Sequence, residues 1–253
     1  MRYLLLSDIH ANLTAFEAVL RHARLKRWDR ALFLGDAVGY YPQPVETLAL
    51  LRELAPEVAL VGNHEASLLE RVTGHADTRL REDPLVSEVL ERQLAVLGPE
   101  DLAYLRSFEP RAVREGWEAV HGSLNEPWAY LTNLPKVQEH APLMQTSLCF
   151  VGHTHIPRAF ASTPSLGGEL WRTVAFPHEH AVYRLPPKAR IVFNPGSVGQ
   201  PRDGIPLASY AIFDEEARVL EHFRVPYDLL TVQRAVRAAG YPEALAQRLA
   251  LGH

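Results

Sequence analysis

The sequence predicts a single α/β domain in which two β-sheets lie face to face and helices cover their outer sides. The first half alternates short apolar runs with amphipathic segments, and the second half contains short alternating runs bounded by turn residues. The length of 253 residues suits one large domain, since single cores stop growing at about 250–300 residues. We therefore predict one domain over residues 1–253, with a helical insertion at about 65–110 as a candidate cap.

The N-terminal segments follow the order strand, helix, strand, helix, strand, which is typical of a sheet covered by helices. Asn12 is predicted to cap the first helix, whose apolar residues recur on one face. Gly35 and Gly62 end the second and third strands. The predicted strands are 3–7, 31–34 and 58–61, and a second helix is predicted at 44–54.

The remaining elements change character along the chain. Residues 64–107 are mostly helical in pattern, and a further helix is predicted near 137–146. Asp228 is predicted to cap a helix that stops at Gly240, and Pro242 to open the last helix. The short alternating runs indicate antiparallel strands. Strands are predicted at 117–120, 148–151, 158–161, 170–176, 189–193, 208–213 and 217–225.

Composition and charge disfavour several classes of protein. The net charge is −4 and no basic run stands out, so the chain does not have the charge pattern of a nucleic-acid binder. Cys149 is the single cysteine, which excludes an intramolecular disulfide. The apolar run after Met1 is too short for a signal sequence, and no stretch reaches the roughly 18 apolar residues of a membrane span. We expect a cytoplasmic protein with no membrane partner.

Five short motifs carry the chemistry, and each follows an apolar, strand-like run. In open α/β sheets, ligands bind at the carboxyl ends of the strands. Residues two apart in extended backbone point the same way, so the members of each D-x-H or H-x-H pair are predicted to reach one ion. Glycines before three of the motif residues are predicted to allow a sharp turn or a close approach. The motifs are Asp8-Ile9-His10, Gly35-Asp36, Gly62-Asn63-His64-Glu65, His121-Gly122 and Gly152-His153-Thr154-His155.

The types of candidate ligand restrict the metal. Four histidines, two aspartates and one asparagine favour Mn, Fe, Co, Ni or Zn over Ca and make Mg a weaker candidate, with manganese preferred. Seven protein ligands are too many for one ion and suit two ions that share a carboxylate. Two divalent ions, two aspartates and a bridging hydroxide leave one positive charge, which attracts a phosphate. The candidate ligands are Asp8, His10, Asp36, Asn63, His121, His153 and His155.

The ordered motifs D-x-H, G-D, G-N-H-E, H-G and G-H-T-H resemble the calcineurin-like metallophosphoesterase family. Asn194-Pro195-Gly196-Ser197 and Pro201-Arg202 are similar to its small bacterial and archaeal branch, and the similarity spans roughly residues 1–215. The resemblance implies a four-layer αββα sandwich of two mixed sheets, and a dinuclear site in which Asp36 bridges. It implies that His64 stabilises or protonates the leaving group without binding metal. The implied ligand sets are Asp8, His10, Asp36 and His155 for one ion, and Asp36, Asn63, His121 and His153 for the other.

The chain departs from the family's pattern at two arginines. Ser/Thr protein phosphatases and symmetrical dinucleoside tetraphosphatases carry one arginine after the second motif and another just before G-N-H-E. Here residues 37–41 read Ala-Val-Gly-Tyr-Tyr, and Val61 precedes Gly62. Arg202 is therefore the nearest substitute for clamping the phosphate, and Tyr40 is a candidate substrate contact. A small nucleotide-type substrate is favoured over a phosphoprotein. Tyr41, Trp128 and Tyr130 also follow motif residues closely and are candidates for lining the pocket.

The leading interpretation is hydrolysis of a phosphodiester or phosphomonoester by attack of a metal-bound hydroxide. Two alternatives stay open: a non-catalytic, metal-binding regulatory module on the same scaffold, and a nuclease, which the net acidity disfavours. The sequence leaves open the physiological substrate, the native metal and whether the chain forms a homo-oligomer.

The other polar residues have less specific patterns. Glu65 is expected to cap or orient its neighbours. His178 and His180 flank Glu179, and surface or pocket-rim positions are favoured for them over a third metal site. The remaining histidines have no ligand-like spacing and are expected to be solvated. They are His22, His75, His140, His222 and His253.

Overall fold

The structure, a computed structural model, describes residues 1–74 and 83–253. Within these residues two six-stranded sheets form the centre of the fold. The strands of the first sheet, in spatial order, are β3 (Val58–Ala59), β2 (Arg30–Phe33), β1 (Arg2–Leu6), β11 (Ala208–Asp214), β12 (Val219–Val225) and β9 (His180–Arg184). Those of the second are β4 (Ala112–Val113), β5 (Glu118–Ala119), β6 (Leu148–Phe150), β10 (Ile191–Asn194), β7 (Arg158–Ser165) and β8 (Gly168–Ala175).

Both sheets are mixed, with parallel strands where the polar motifs follow. In the first sheet β1, β2 and β3 are parallel, and β11 pairs antiparallel with β1. In the second sheet β5, β6 and β10 are parallel, and β7 pairs antiparallel with β10. The carboxyl ends of β1, β2 and β3 therefore lie side by side, and so do those of β5 and β6.

Four of the described helices begin after a residue whose side chain accepts a free backbone N–H of the first turn. Asn12 caps the first helix by accepting a hydrogen bond from the backbone N–H of Ala15 at 3.1 Å. Asp228 caps a later helix in the same way, through the N–H of Thr231 at 3.0 Å. The helices are α1 (Leu13–Ala23), α2 (Pro44–Leu54), α3 (Asn63–Thr73), α4 (Pro84–Leu94), α5 (Pro99–Arg106), α6 (Leu134–His140), α7 (Leu229–Ala238) and α8 (Glu243–Leu251).

Three apolar clusters show that the fold is a four-layer αββα sandwich. Alternate residues of β1 divide between two of the clusters, since Leu4 and Leu6 face the helices while Tyr3 and Leu5 face the second sheet. The middle cluster also takes Phe150 and other residues from the second sheet. A third cluster lies between the outer face of the second sheet and α6. The fold class expected from the sequence is confirmed.

The helices of the expected insertion belong to the outer layer. Leu68 of α3, Val89 of α4 and Leu105 of α5 join the same cluster as the buried faces of α1, α2, α7 and α8. The role of this segment as a cap stays a prediction. None of the helices in the described part of the chain is long and apolar enough to cross a bilayer. The cytoplasmic location also stays a prediction.

Two details of the secondary structure differ from expectation. The helix expected near 137–146 begins earlier, at Leu134, and continues as a short 3-10 helix over Ala141–Leu143. Strands β4 and β9 were not predicted. Strand β9 is an edge strand whose residues alternate between exposed and half-buried, so its few apolar residues do not form a strong pattern.

Candidate metal centre

The five motifs meet where the carboxyl ends of the parallel strands in the two sheets come together. The aspartates and histidines among the candidate ligands are all buried, and Asn63 is half-buried. Asp8 and His10 follow β1, Asp36 follows β2, Asn63 follows β3, His121 follows β5, and His153 and His155 follow β6.

The candidate ligand atoms form two groups that share Asp36. Within each group one atom from every residue lies within 4.8 Å of all the others. Asn63 adjoins the second group, since its Oδ1 lies 3.3 Å from Nε2 of His121. The structure thus brings all seven candidate ligands together, and their role in binding metal stays a prediction. The groups are Asp8, His10, Asp36 and His155, and Asp36, His121 and His153.

The residues of the D-x-H and H-x-H motifs have left-handed backbone conformations. The expectation that this backbone is extended is therefore wrong. The φ angles are 54° at Asp8, 53° at His10, 66° at His153 and 59° at His155. Both strands end before the pairs begin, so the side chains do not alternate as in a strand. His153 and His155 join different groups, in contrast to the expectation from their spacing, whereas Asp8 and His10 share one. Non-glycine residues seldom adopt this conformation, which costs roughly 1–3 kcal/mol each and clusters at functional sites.

Hydrogen bonds between loops hold this backbone in place. The N–H of Asp8 donates to Gly35 O and the N–H of His10 donates to Asp36 O, both at 2.9 Å. Both carboxylates also accept backbone bonds. Asp8 accepts the N–H of His153 at 3.2 Å, and Asp36 Oδ1 accepts the N–H of His64 at 2.9 Å. The aspartates therefore fix the loops of other motifs as well as facing the histidines.

Each candidate ligand histidine is oriented by a backbone carbonyl. Nδ1 of His10 donates to Val38 O at 2.9 Å, Nδ1 of His155 to Gln200 O at 2.6 Å, and Nδ1 of His121 to Leu34 O at 2.7 Å. His153 uses its other nitrogen, with Nε2 donating to Trp128 O at 3.0 Å. Because a carbonyl can only accept, these bonds fix the tautomer. In the neutral ring the other nitrogen then keeps a lone pair that can bind a cation.

Burial and charge then decide the protonation of the site. Burial, together with His64 and His155, lowers the pKa of His10 well below its usual range. Burial and His121 lower the pKa of His153 to about 3. Burial by itself also lowers the pKa of His121, but the nearby Asp36 carboxylate raises it to about 9. Although burial acts in the opposite direction, the neighbouring imidazoles hold the pKa of Asp36 well below its usual range.

The residues fit a pair of cations. Nε2 of His10 and Nε2 of His155 lie only 3.0 Å apart, although both tautomers put a lone pair on that nitrogen. Asp36 Oδ2 lies 3.3 Å from Nε2 of His121 and 3.7 Å from Nε2 of His10. Converging lone pairs and two carboxylates repel one another unless positive charge lies among them. Mixed nitrogen and oxygen donors suit divalent transition metals.

His64 lies beside the two groups and belongs to neither. Its Nε2 is 4.0 Å from Asp36 Oδ2, and its ring packs 4.7 Å from those of His10 and Tyr40. Burial lowers its pKa to about 4. Gly39 makes room for the ring, because a Cβ there would lie 2.1 Å from Nδ1 of His64. The His64 side chain therefore lies next to the candidate metal centre but is not one of its candidate ligands.

Glu65 holds the loop of Asp36, as expected for an orienting residue. Its Oε2 accepts the N–H groups of Asp36 and Gly62 at 2.8 Å, and its Oε1 accepts those of Ala37 at 2.7 Å and Val38 at 3.1 Å. Burial and Asp36 raise the pKa of Glu65 to about 7, and the N–H groups oppose that shift. Gly62 packs directly against Asp36, where a Cβ would lie 2.1 Å from Oδ1. The close approach that Gly62 allows is therefore to the side chain of Asp36, a candidate ligand.

Sequence reasoning assigned no role to the residues that brace the loops from behind. Asn194 Nδ2 donates to Gly152 O and to Thr154 Oγ1, which holds the loop of the last motif. Ser197 Oγ donates to Asp8 O at 2.7 Å. The motif Asn194-Pro195-Gly196-Ser197 was noticed only as a family resemblance. Its structural role could not be predicted, because the residues to which it bonds lie far away in sequence.

Arg202 and Tyr40 lie together at the edge of the centre. Arg202 donates to Tyr40 Oη at 2.9 Å and to Gln200 Oε1 at 2.7 Å. The Tyr40 ring lies 4.6 Å from the ring of His10. On the other side Tyr130 stacks on His153 at 3.9 Å. The two candidate substrate contacts are thus adjacent to the ligand histidines, and their role stays a prediction.

An apolar cavity of 250 Å³ lies beside His121. Trp128 forms part of its wall, together with Val61, Val120 and Leu124. Tyr41 is fully buried and lines neither this cavity nor the one next to Tyr40. The apolar wall next to a candidate ligand provides a surface on which a flat ring could pack.

The other histidines divide between surface and core. His178, His180 and His253 are exposed, and neither His178 nor His180 belongs to a possible ligand group among the described residues. His140 and His222 are fully buried, so the expectation that they are solvated is wrong. His222 bonds Ser209 Oγ at 2.6 Å, and His140 Nδ1 accepts the N–H of Leu124 at 3.1 Å. Partners from neighbouring elements make their burial possible. His22 is half-buried, and His75 lies outside the described residues.

Comparison with known proteins agrees with this geometry. A family model described as the calcineurin-like phosphoesterase superfamily domain matches residues 1–218. The crystal structure of a metallophosphoesterase from Sphaerobacter thermophilus is 39% identical, with a TM-score of 0.86 over 100% of this chain and 99% of that chain. An uncharacterised protein of Methanocaldococcus jannaschii is 33% identical over 98% of this chain and 96% of its own length. A symmetrical bis(5'-nucleosyl)-tetraphosphatase of Methylococcus capsulatus is 37% identical over 44% of this chain and 38% of its own length.

Proposed function

The chain belongs to the calcineurin-like phosphoesterase superfamily, and we propose that it hydrolyses a phosphodiester or phosphomonoester of a small nucleotide-type substrate at a dinuclear metal centre. One observation carries the proposal. Two groups of converging lone pairs and carboxylates share Asp36, as expected for two ions bridged by one carboxylate.

The proposal assigns the two groups to two divalent ions, with manganese preferred. One ion would be held by Asp8, His10, Asp36 and His155, and the other by Asp36, Asn63, His121 and His153. When bound, such ions supply positive charge for the phosphate and make water a better nucleophile. The candidate ligands are imidazole nitrogens and carboxylate or amide oxygens, with no thiolate. Such a donor set suits manganese and iron, and also zinc, nickel and cobalt.

The protein's own residues have three tasks in this proposal. Backbone carbonyls fix the imidazoles in the tautomer that leaves a lone pair for an ion. His64 faces Asp36 from outside the ligand sets, which suits an imidazole that donates a hydrogen bond or a proton to the leaving oxygen. Arg202, fixed by Tyr40 and Gln200, is the candidate for orienting a phosphate oxygen.

Two observations support a nucleotide-type substrate. The apolar cavity beside His121 includes Trp128, on which a base could stack. The Methylococcus relative is named for a nucleotide substrate, although the identity covers only 44% of this chain. The net charge of −4 disfavours a nuclease that follows a long phosphate backbone.

Activity with and without metal tests the proposal. We expect purified protein to hydrolyse bis(4-nitrophenyl) phosphate when Mn²⁺ is added and to lose activity with chelator. A panel of phosphomonoesters, cyclic nucleotides, dinucleoside polyphosphates and single-stranded DNA then ranks the substrates. His121→Ala should abolish turnover, whereas the surface variant His178→Ala should retain it. If no member of the panel is hydrolysed in the presence of any of the five metals, the proposal fails, and metal retention after desalting then tests the alternative of a non-catalytic metal-binding module.

A further inference from the structure

A second cavity, of 370 Å³, adjoins the candidate metal centre. Two of its wall residues touch the centre directly. Tyr40 packs on the ring of His10 at 4.6 Å, and Tyr130 stacks on the ring of His153 at 3.9 Å. A substrate whose phosphate lies at the centre can therefore extend into this cavity. The walls are formed by Tyr40, Asp83, Leu85, Val86, Tyr130, Arg202, Arg248 and His253.

Two guanidinium groups lie on these walls. The guanidinium carbons of Arg202 and Arg248 are 5.5 and 5.9 Å from the centroid of the Tyr40 ring. Arg202 uses donors on Tyr40 and Gln200. For Arg248 the described part of the chain contains no hydrogen bond or ion pair to the guanidinium, so its donors are available to a ligand. Among the described residues on the walls, the one carboxylate side chain is that of Asp83, which caps α4 through the N–H of Leu85.

Arg248 is held in place by the docking of its helix. Its neighbours Leu245 and Leu249 on α8 are buried in the outer core. The end of α8 packs on the loop that follows Arg202, where Gly252 O accepts the N–H of Gly204 at 3.0 Å. The backbone at Arg248 therefore keeps a fixed position relative to the loop after Arg202. The helix lies outside residues 1–218, the part that matches the family model.

We propose that Arg248 binds a second phosphate group of the substrate, which makes this chain selective for substrates with at least two linked phosphates. The inference rests on the proposed function for the position of the first phosphate. A guanidinium with free donors recognises phosphate oxygens well, and one placed beyond Arg202 meets the next phosphate of a chain. The aromatic and apolar walls then accommodate the group that follows the second phosphate.

Binding of one and two phosphates tests the inference. Titration calorimetry on the metal-loaded protein compares orthophosphate with imidodiphosphate, a diphosphate analogue that resists hydrolysis. We expect Arg248→Gln to weaken imidodiphosphate binding about ten- to hundredfold and to change orthophosphate binding less than twofold, since one charged hydrogen-bonding group is lost. Arg248→Lys should keep most of the affinity. Arg234→Gln removes an exposed arginine of α7 that is not on the cavity walls, and it should match the wild type.

The outcomes separate this inference from the proposed function. If Arg248→Gln and Arg248→Lys both bind imidodiphosphate like the wild type, the inference fails, and hydrolysis of bis(4-nitrophenyl) phosphate shows that the proposed function stands. If Arg248→Gln weakened the binding of orthophosphate and imidodiphosphate equally, the inference would also fail, because Arg248 would then not be specific for a second phosphate. If the wild type hydrolyses nothing but binds imidodiphosphate in an Arg248-dependent manner, the proposed function fails and the binding site stands.

Discussion

Replacement of Glu65 by glutamine should destabilise the protein strongly, although the two side chains are nearly equal in size. The buried carboxylate accepts four backbone N–H groups, two on each oxygen. Glutamine keeps one acceptor oxygen, so two N–H groups would face its NH₂ group and lose their partners. An unsatisfied buried donor costs roughly 1–3 kcal/mol. We therefore expect the free energy of unfolding to fall by about 2–6 kcal/mol, a large part of the roughly 5–15 kcal/mol of a typical domain.

Urea unfolding of the metal-free proteins measures this difference, since bound metal would add its own stabilisation. Glu91→Gln on α4 is the control, because Glu91 is exposed. The metal affinity of Glu65→Gln should also fall, since two of the four N–H groups belong to Ala37 and Val38, which follow Asp36. Surface substitutions typically change the free energy of unfolding by no more than about 0.5 kcal/mol. If the free energy of unfolding of Glu65→Gln differs from that of the wild type by no more than this, the hydrogen-bond argument is refuted.

Two further predictions concern histidines. His64→Ala should keep its metals but slow kcat by about 10²–10⁴-fold, more for a nucleoside leaving group than for nitrophenolate. Loss of a metal would make His64 a ligand, and an equal loss for both esters would argue against proton donation. His222 lies elsewhere, and burial and Arg224 lower its pKa to about 3, against about 6.5 in the unfolded chain. Below pH 6.5 only the unfolded chain gains this proton, so between pH 7.5 and 5 the wild type should lose about 2 kcal/mol more unfolding free energy than His222→Gln. Equal losses in the two proteins would contradict this.

Much of the fold was predictable because local signals agree with the tertiary structure. The apolar run that forms β1 and the Asn12 cap of α1 are visible in the sequence and are present in the structure. Polar residues directly after such runs must lie at strand ends, so the convergence of the motifs followed from the strand order. The two sheets were expected to lie face to face, and the structure shows that β1 and β6, which belong to different sheets, bring their motifs to one site.

What could not be predicted depends on contacts between distant segments. His222 has no unusual neighbours in sequence, yet it is buried because Ser209 on the adjacent strand offers a partner. The left-handed backbone at Asp8 and His10 is set by bonds to the loop that carries Asp36. Arg248 reaches the second cavity because α8 docks on the loop after Arg202. No local pattern carries this information.

The metal content of Asp36→Asn tests the central claim most directly. Asparagine keeps the shape and can still accept the N–H of His64, but it removes the negative charge shared by both groups. Elemental analysis after desalting should find two ions per chain in the wild type and in the control Asp214→Asn, which changes a residue of β11 away from the centre. It should find fewer than one in Asp36→Asn, with an unchanged circular dichroism spectrum. Two tightly retained ions in Asp36→Asn, or a single ion in the wild type, would contradict a dinuclear centre bridged by Asp36.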